Sequence, residues 1–181
     1  MKKIIQLATL VVLTIFVVTG CGRAKPKAKP IANLTNQTVV MKAKIPFKEG
    51  AYIKNAIRTE CTLGSQLATY TKKYAGKNKV NVVLNSSATK KDSHYYLDLT
   101  ISNAISEGNA FIGHNKSTQV QGTLYKDGTK LASFNGQRTS RGGFGGGYRS
   151  SCSILGRTAD ALGKDIALWL KAPTPNAFFG D

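Results

Sequence analysis

The chain predicts an α+β two-layer sandwich, a mainly antiparallel sheet with two helices packed on one face, and three observations lead there. The middle of the sequence alternates apolar and polar residues with a period of two, most clearly where Leu97, Leu99 and Ile101 interleave with Tyr96, Asp98, Thr100 and Ser102. Two other segments switch to helical spacing: Leu63, Leu67, Tyr70 and Tyr74 share one face, and so do Leu155, Ala159, Leu162, Ile166, Trp169 and Leu170. Each of these segments also opens at a cysteine that leads a row of small residues, Cys61, Gly64, Ala68 and Ala75 in one and Cys152, Gly156, Ala159 and Gly163 in the other.

Taken in order, Lys2 and Lys3 precede an apolar run from Ile4 to Val18 that is shorter than the ~20 residues a spanning helix needs. Polar Gln6, Thr9 and Thr14 interrupt it, so the run reads as an export signal. Val18-Thr19-Gly20-Cys21 resembles the lipobox of bacterial lipoproteins, where the cysteine is lipidated on its thiol and becomes the first residue after cleavage. The resemblance implies a signal peptide at 1–20 and a diacylglycerol on Cys21; one acyl chain binds a membrane only marginally, so such anchors carry two or more. By resemblance to lipoproteins of Gram-negative bacteria, Gly22, with no aspartate in that place, implies the outer membrane and a periplasm-facing domain.

Residues 21–37 form a basic tether rich in Lys, Pro and small residues, with Arg23, Lys25, Lys27 and Lys29 near the lipid. The domain is expected over 38–171. It starts with a strand from Thr38 to Phe47 closed by Pro46, then a short extended piece over 52–57 and a helix opened by Thr59-Glu60-Cys61 that stops at Gly76. Strands follow over 79–84 and 94–105. The pair 118–125 and 130–140 flanks Asp127-Gly128, a strong hairpin signal because both turn positions want positive φ. Ser150-Ser151 offers an N-cap for the last helix, Pro173 ends it, and 172–181 is a short, loosely held tail.

Cysteine usage follows from export. With Cys21 given to lipid, Cys61 and Cys152 remain as a single pair in an oxidising compartment, where a disulfide is the default. Small residues beside each cysteine permit close approach, so the two helices are expected side by side, parallel and bridged.

Charge and motifs bound the function. The formal net charge is +17, and removal of the signal with its two lysines leaves +15. A field of that sign attracts polyanions: lipopolysaccharide phosphates, acidic peptidoglycan, anionic lipid or nucleic acid. The segment from Arg141 to Tyr148 is glycine-rich, and Arg138, Arg141 and Arg149 bracket it as candidate residues for binding an anion or a partner at a helix N-terminus. Its spacing matches neither a Walker loop nor a dinucleotide fingerprint.

No catalytic residue and no metal ligand set is nominated, and neither a cofactor nor a small-molecule substrate is expected. The acids are scattered, His94 and His114 sit in no ligand spacing, and neither a Gly-x-Ser-x-Gly elbow nor HExxH occurs. Tyr95, Tyr96, Tyr125, Phe134 and Tyr148 interleave with basic residues as on a single-strand nucleic-acid platform, but strand tyrosines usually pack across strands, and nucleic acid is not the expected partner.

A helix opening Glu-Cys-Thr-Leu at 60–63, alternating strands, and a closing Cys-Ser-Ile-Leu-Gly-Arg before Leu-Gly-Lys-Asp-Ile-Ala-Leu-Trp-Leu together resemble small, functionally uncharacterised lipoproteins of proteobacteria, over roughly residues 38 to 171. The resemblance implies location and fold and conveys no activity. The resulting expectation is a non-enzymatic lipoprotein that binds an envelope protein or an anionic polymer in envelope assembly or maintenance. The alternative is an envelope hydrolase with an unorthodox site, which would need polar groups converging in a pocket near His94 or His114.

Overall fold

A computed structural model describes residues 28–91, 94–109, 113–140 and 150–180. In chain order the elements are β1 (Thr38–Met41), α1 (Asn55–Glu60), α2 (Leu63–Lys77), β2 (Asn81–Leu84), β3 (Tyr95–Asn109), β4 (Gly113–Lys126), β5 (Thr129–Ser140), α3 (Ser151–Lys171) and β6 (Ala177–Gly180). One six-stranded sheet runs β2-β1-β3-β4-β5-β6. The fold class is the predicted one, mixed α+β. Antiparallel pairing holds the centre, β3 with β4 and β4 with β5. Parallel pairs flank it: β1 with both β2 and β3, and β5 with β6.

The period-two pattern sorts the two faces as expected. Leu97, Leu99, Ile101, Val120, Leu124 and Phe134 turn inward and are buried against Leu67, Leu155, Leu162, Ile166 and Leu170 of the helices. The Phe134 ring meets Trp169 edge-on at 4.7 Å between centroids, a pairing that contributes about 0.5–1.5 kcal/mol beyond area burial. At the tip of the central hairpin Asp127 and Gly128 both take positive φ, +47° and +80°, as the turn signal required.

Several stretches differ from the sequence reading. The first strand stops at Met41 because Ile45 plunges into the core, and Ile45 N donates to Gly64 O; the chain regains the sheet only at Phe47, which bridges Ile101. Residues 55–60 are helical rather than extended, burying Ile57, and Arg58 ties the turn by donating from Nη2 to Ala51 O at 2.7 Å. Cys61 is extended between α1 and α2, so it precedes the second helix instead of lying in its first turn. The tail is not loose: Asn176 turns the chain with φ +49°, and β6 lays Phe179 over Gly136 and against Phe134 at 4.7 Å.

Residues 31–37, read from sequence as tether, pack on the domain. Ile31 N donates to Pro173 O and Leu34 N to Lys171 O, while the Leu34 side chain is fully buried. The chain therefore joins the body at the C-terminal end of α3.

Candidate functional site

The residues singled out by sequence fall into three groups. Cys21, Arg141 and Arg149 lie outside the described residues, as does the glycine-rich segment 141–148. Cys61 and Cys152 do meet: their sulfurs are bonded and their Cα atoms are 5.1 Å apart across a sequence separation of 91. Arg138 points toward α3, where Nε and Nη2 donate to the two carboxylate oxygens of Asp165 at 2.7 and 3.1 Å. That fork-to-fork pairing engages Arg138 in joining sheet to helix, so it does not stand ready for an external anion.

Beyond the disulfide, the two helices run in parallel as expected. Gly156 approaches Gln66 and Gly163 approaches Tyr70 and Thr71, so residue numbers rise together along both. The small rows play different parts, however. Gly64 packs on the Ile45 backbone, whereas Gly156 and Gly163 admit α2 to α3. The Tyr74 hydroxyl closes the pair by donating to Asp160 at 2.9 Å, and that hydrogen bond is the main cause holding the phenol above its usual pKa.

This geometry gives α2 and α3 a one-signed outer surface. Lys72, Lys73 and Lys77 on α2 and Arg157, Lys164 and Lys171 on α3 are all exposed. The carboxylates of those two helices, Asp160 and Asp165, are engaged by Tyr74 and Arg138. A hollow of about 580 Å³ follows the seam between the helices, walled by Tyr70, Tyr74, Lys73, Arg157 and Asp160. The amphipathic stripes could be read from the sequence; the gathering of cations on one surface needed the parallel pairing of two helices distant in sequence.

Lys116 is a residue that sequence reasoning misses. It points inward near the disulfide with 2% of its surface exposed, and Nζ donates to Glu107 O at 3.2 Å. Burial chiefly, and Lys54 next, lower its pKa, with Glu107 opposing. It shares a hollow of about 290 Å³ with Lys54, Glu60, Ser106, Ser151 and both bridging cysteines. A sequence signal existed, since its strand neighbours Thr118 and Val120 also face inward, but a lysine at an inward position reads as an end of alternation.

His94 pairs with Asp127 at 2.7 Å, both well exposed at the end of the central hairpin and lining none of the described hollows. Among the described residues no group of three or more His, Cys, Asp and Glu side chains could hold a metal, and no helix is long and apolar enough to cross a membrane.

No protein-family model matches the chain, and no curated protein does. Among solved structures it is similar to a PelC dodecamer from Paraburkholderia phytofirmans that carries a single substitution, with a TM-score of 0.52 at 13% identity over 79% of this chain and 95% of that one. A second PelC dodecamer structure from the same organism gives a TM-score of 0.51 at 12% identity over 81% and 95%. A minor lipoprotein from Acinetobacter baumannii gives 0.47 at 11% identity over 77% and 93%. Lipoproteins stand among its structural neighbours, and what the chain shares with PelC at these identities is the fold.

Proposed function

We propose that the chain is a lipid-tethered module of the cell envelope, held at Cys21 to the outer membrane and facing the periplasm. It acts without catalysis, as a binding or accessory part in envelope assembly or maintenance, and its partner is an anionic envelope polymer or a protein with an acidic surface. The observation that carries this reading is the helical face, with six exposed cations on α2 and α3 and both helices' carboxylates engaged internally. The Cys61–Cys152 bond supports an oxidising compartment. Against the hydrolase alternative at His94, the His94–Asp127 pair stands exposed and lines none of the described hollows, so a reacting group there would remain in bulk water; the side chain of His114 lies outside the described residues.

The full-length chain in detergent micelles, applied to immobilised heparin, tests the face. Retention should persist at moderate salt and fall steeply as salt rises, because released counterions drive such binding. Joint replacement Lys72→Gln, Lys73→Gln, Lys77→Gln and Lys164→Gln should bring elution to markedly lower salt. Flow-through of the unaltered protein at moderate salt, or unchanged elution of the variant, contradicts the proposal. The anchor is tested separately: Cys21→Ala should move the protein from the membrane fraction to the soluble one.

A second reading is self-assembly. Both PelC structures that share this fold are dodecamers. Light scattering on the full-length chain, corrected for detergent, should then give several times the monomer mass; a monomeric mass across the accessible concentration range dismisses it.

A further inference from the structure

The sheet face turned away from the helices has a character unlike the rest of this basic chain: its centre carries no charge. Register places Asn103, Gln119 and Gln137 in one row across β3, β4 and β5, and Thr100, Gln121, Asn135 and Phe178 in the next row across β3 to β6. Their strand neighbours Leu99, Gly122 and Phe134 belong to the opposite, helix-covered face, so alternation turns these two rows outward. Ser102 and Phe178 join the four Gln and Asn residues of β4 and β5 around a depression of about 230 Å³.

The chemistry of these rows is narrow. Side-chain amides and hydroxyls each offer a donor and an acceptor and carry no net charge. Gln119 and Gln137 hold one another at 2.8 Å, which pins two long side chains in place and lowers the entropy lost when a ligand settles on them. Phe178 stands 71% exposed at the rim, a flat apolar surface next to the polar rows. At about 230 Å³ the depression is smaller than the roughly 300–1,000 Å³ of sites that enclose small molecules, so its occupant lies across it.

From this we infer that the open sheet face binds a neutral glycan strand. Sugar hydroxyls, themselves donors and acceptors, meet the amide rows, and the C–H face of a pyranose ring lies on Phe178 through dispersion and weak C–H contacts. The distance from β3 to β6 is three strand spacings, about 14 Å, room for a short run of rings. An anionic strand gains little at these two rows, because none of their side chains is charged. The inference does not depend on that helical face, and the two surfaces fail separately.

Titration calorimetry on the full-length chain in micelles, with N-acetylchitohexaose, cellohexaose and maltohexaose as probes, tests it. At least one should bind with a sub-millimolar Kd. Phe178→Ala and Gln121→Ala, both at exposed positions, should each weaken that binding about tenfold, and heparin retention should be unchanged in both variants. Heat from none of the three glycans at ~10 mM, or binding indifferent to both substitutions, overturns the inference. So does self-association that Phe178→Ala abolishes while the glycans have no effect, which would make a second copy the occupant.

Discussion

Gly163 has space for a hydrogen and little more: a Cβ there would lie 2.6 Å from Tyr70 Cβ and 2.9 Å from Thr71 N. Gly163→Ala must push α2 from α3, and a cost of about 1–3 kcal/mol is expected from overpacking. Gly76, in the last turns of α2, has nothing within 4 Å of the same position. Gly76→Ala should therefore stabilise by roughly 0.5–1 kcal/mol through helix propensity alone. Urea titrations of the two variants check both signs. Lys116 adds a pH test. Its folded pKa is lowered, so the cost of burying the ammonium applies below that value and disappears as pH rises through it toward the ordinary lysine value. The stability gained by Lys116→Met relative to the unaltered chain should shrink between neutral pH and about pH 10; a gap that stays flat speaks against a perturbed Lys116.

Among the elements, the disulfide joins residues 91 apart and in the chain-entropy model contributes on the order of 4 kcal/mol. Cys61→Ser with Cys152→Ser should lower the unfolding free energy by that order, and added reductant should then have no further effect on the variant. β6 carries a sharper test of packing. Phe179→Ala removes a ring set on Gly136 and Phe134 and should cost about 2 kcal/mol, below the roughly 3–5 kcal/mol of a fully buried Phe because the ring is half-buried. At this scale the sequence was legible wherever pattern is local. The central hairpin announced itself through Asp127-Gly128, and the last helix through its stripe and the Ser150 cap, whose Oγ accepts from Ser153 N. β6 was illegible because Ala-Phe-Phe-Gly follows two prolines and pairs in parallel with a strand far back in the chain, Phe134 with Ala177, leaving no turn signal. α1 was missed for a related reason: six residues hold too few turns to display a period, and Arg58, hooked onto Ala51 and Ile53, does what a longer stripe would otherwise do.

For the molecule as a whole, net charge was readable from composition while its distribution was not. Six helix cations share a surface only because residues 86 apart, such as Tyr74 and Asp160, run alongside each other. Arg138, nominated as an anion receptor, proves instead to be bound to Asp165. The uncharged rows were likewise hidden, since Gln119, Gln137 and Phe178 come from three strands. The two surfaces predict separable salt behaviour. Retention on heparin should decline linearly in log–log form with salt concentration, whereas glycan binding should barely respond between about 50 and 200 mM salt. A shared salt dependence would mean that one surface serves both.

The backbone bonds from Ile31 and Leu34 to the end of α3 also fix a leash and a bearing. The chain from Cys21 to Ile31 has a reach of at most about 35 Å even at full stretch. α3, with 21 residues, is about 32 Å long. An acylated Cys21 would thus hold the C-terminal end of α3 within about 35 Å of the headgroups, with the cystine at the opposite end of that helix.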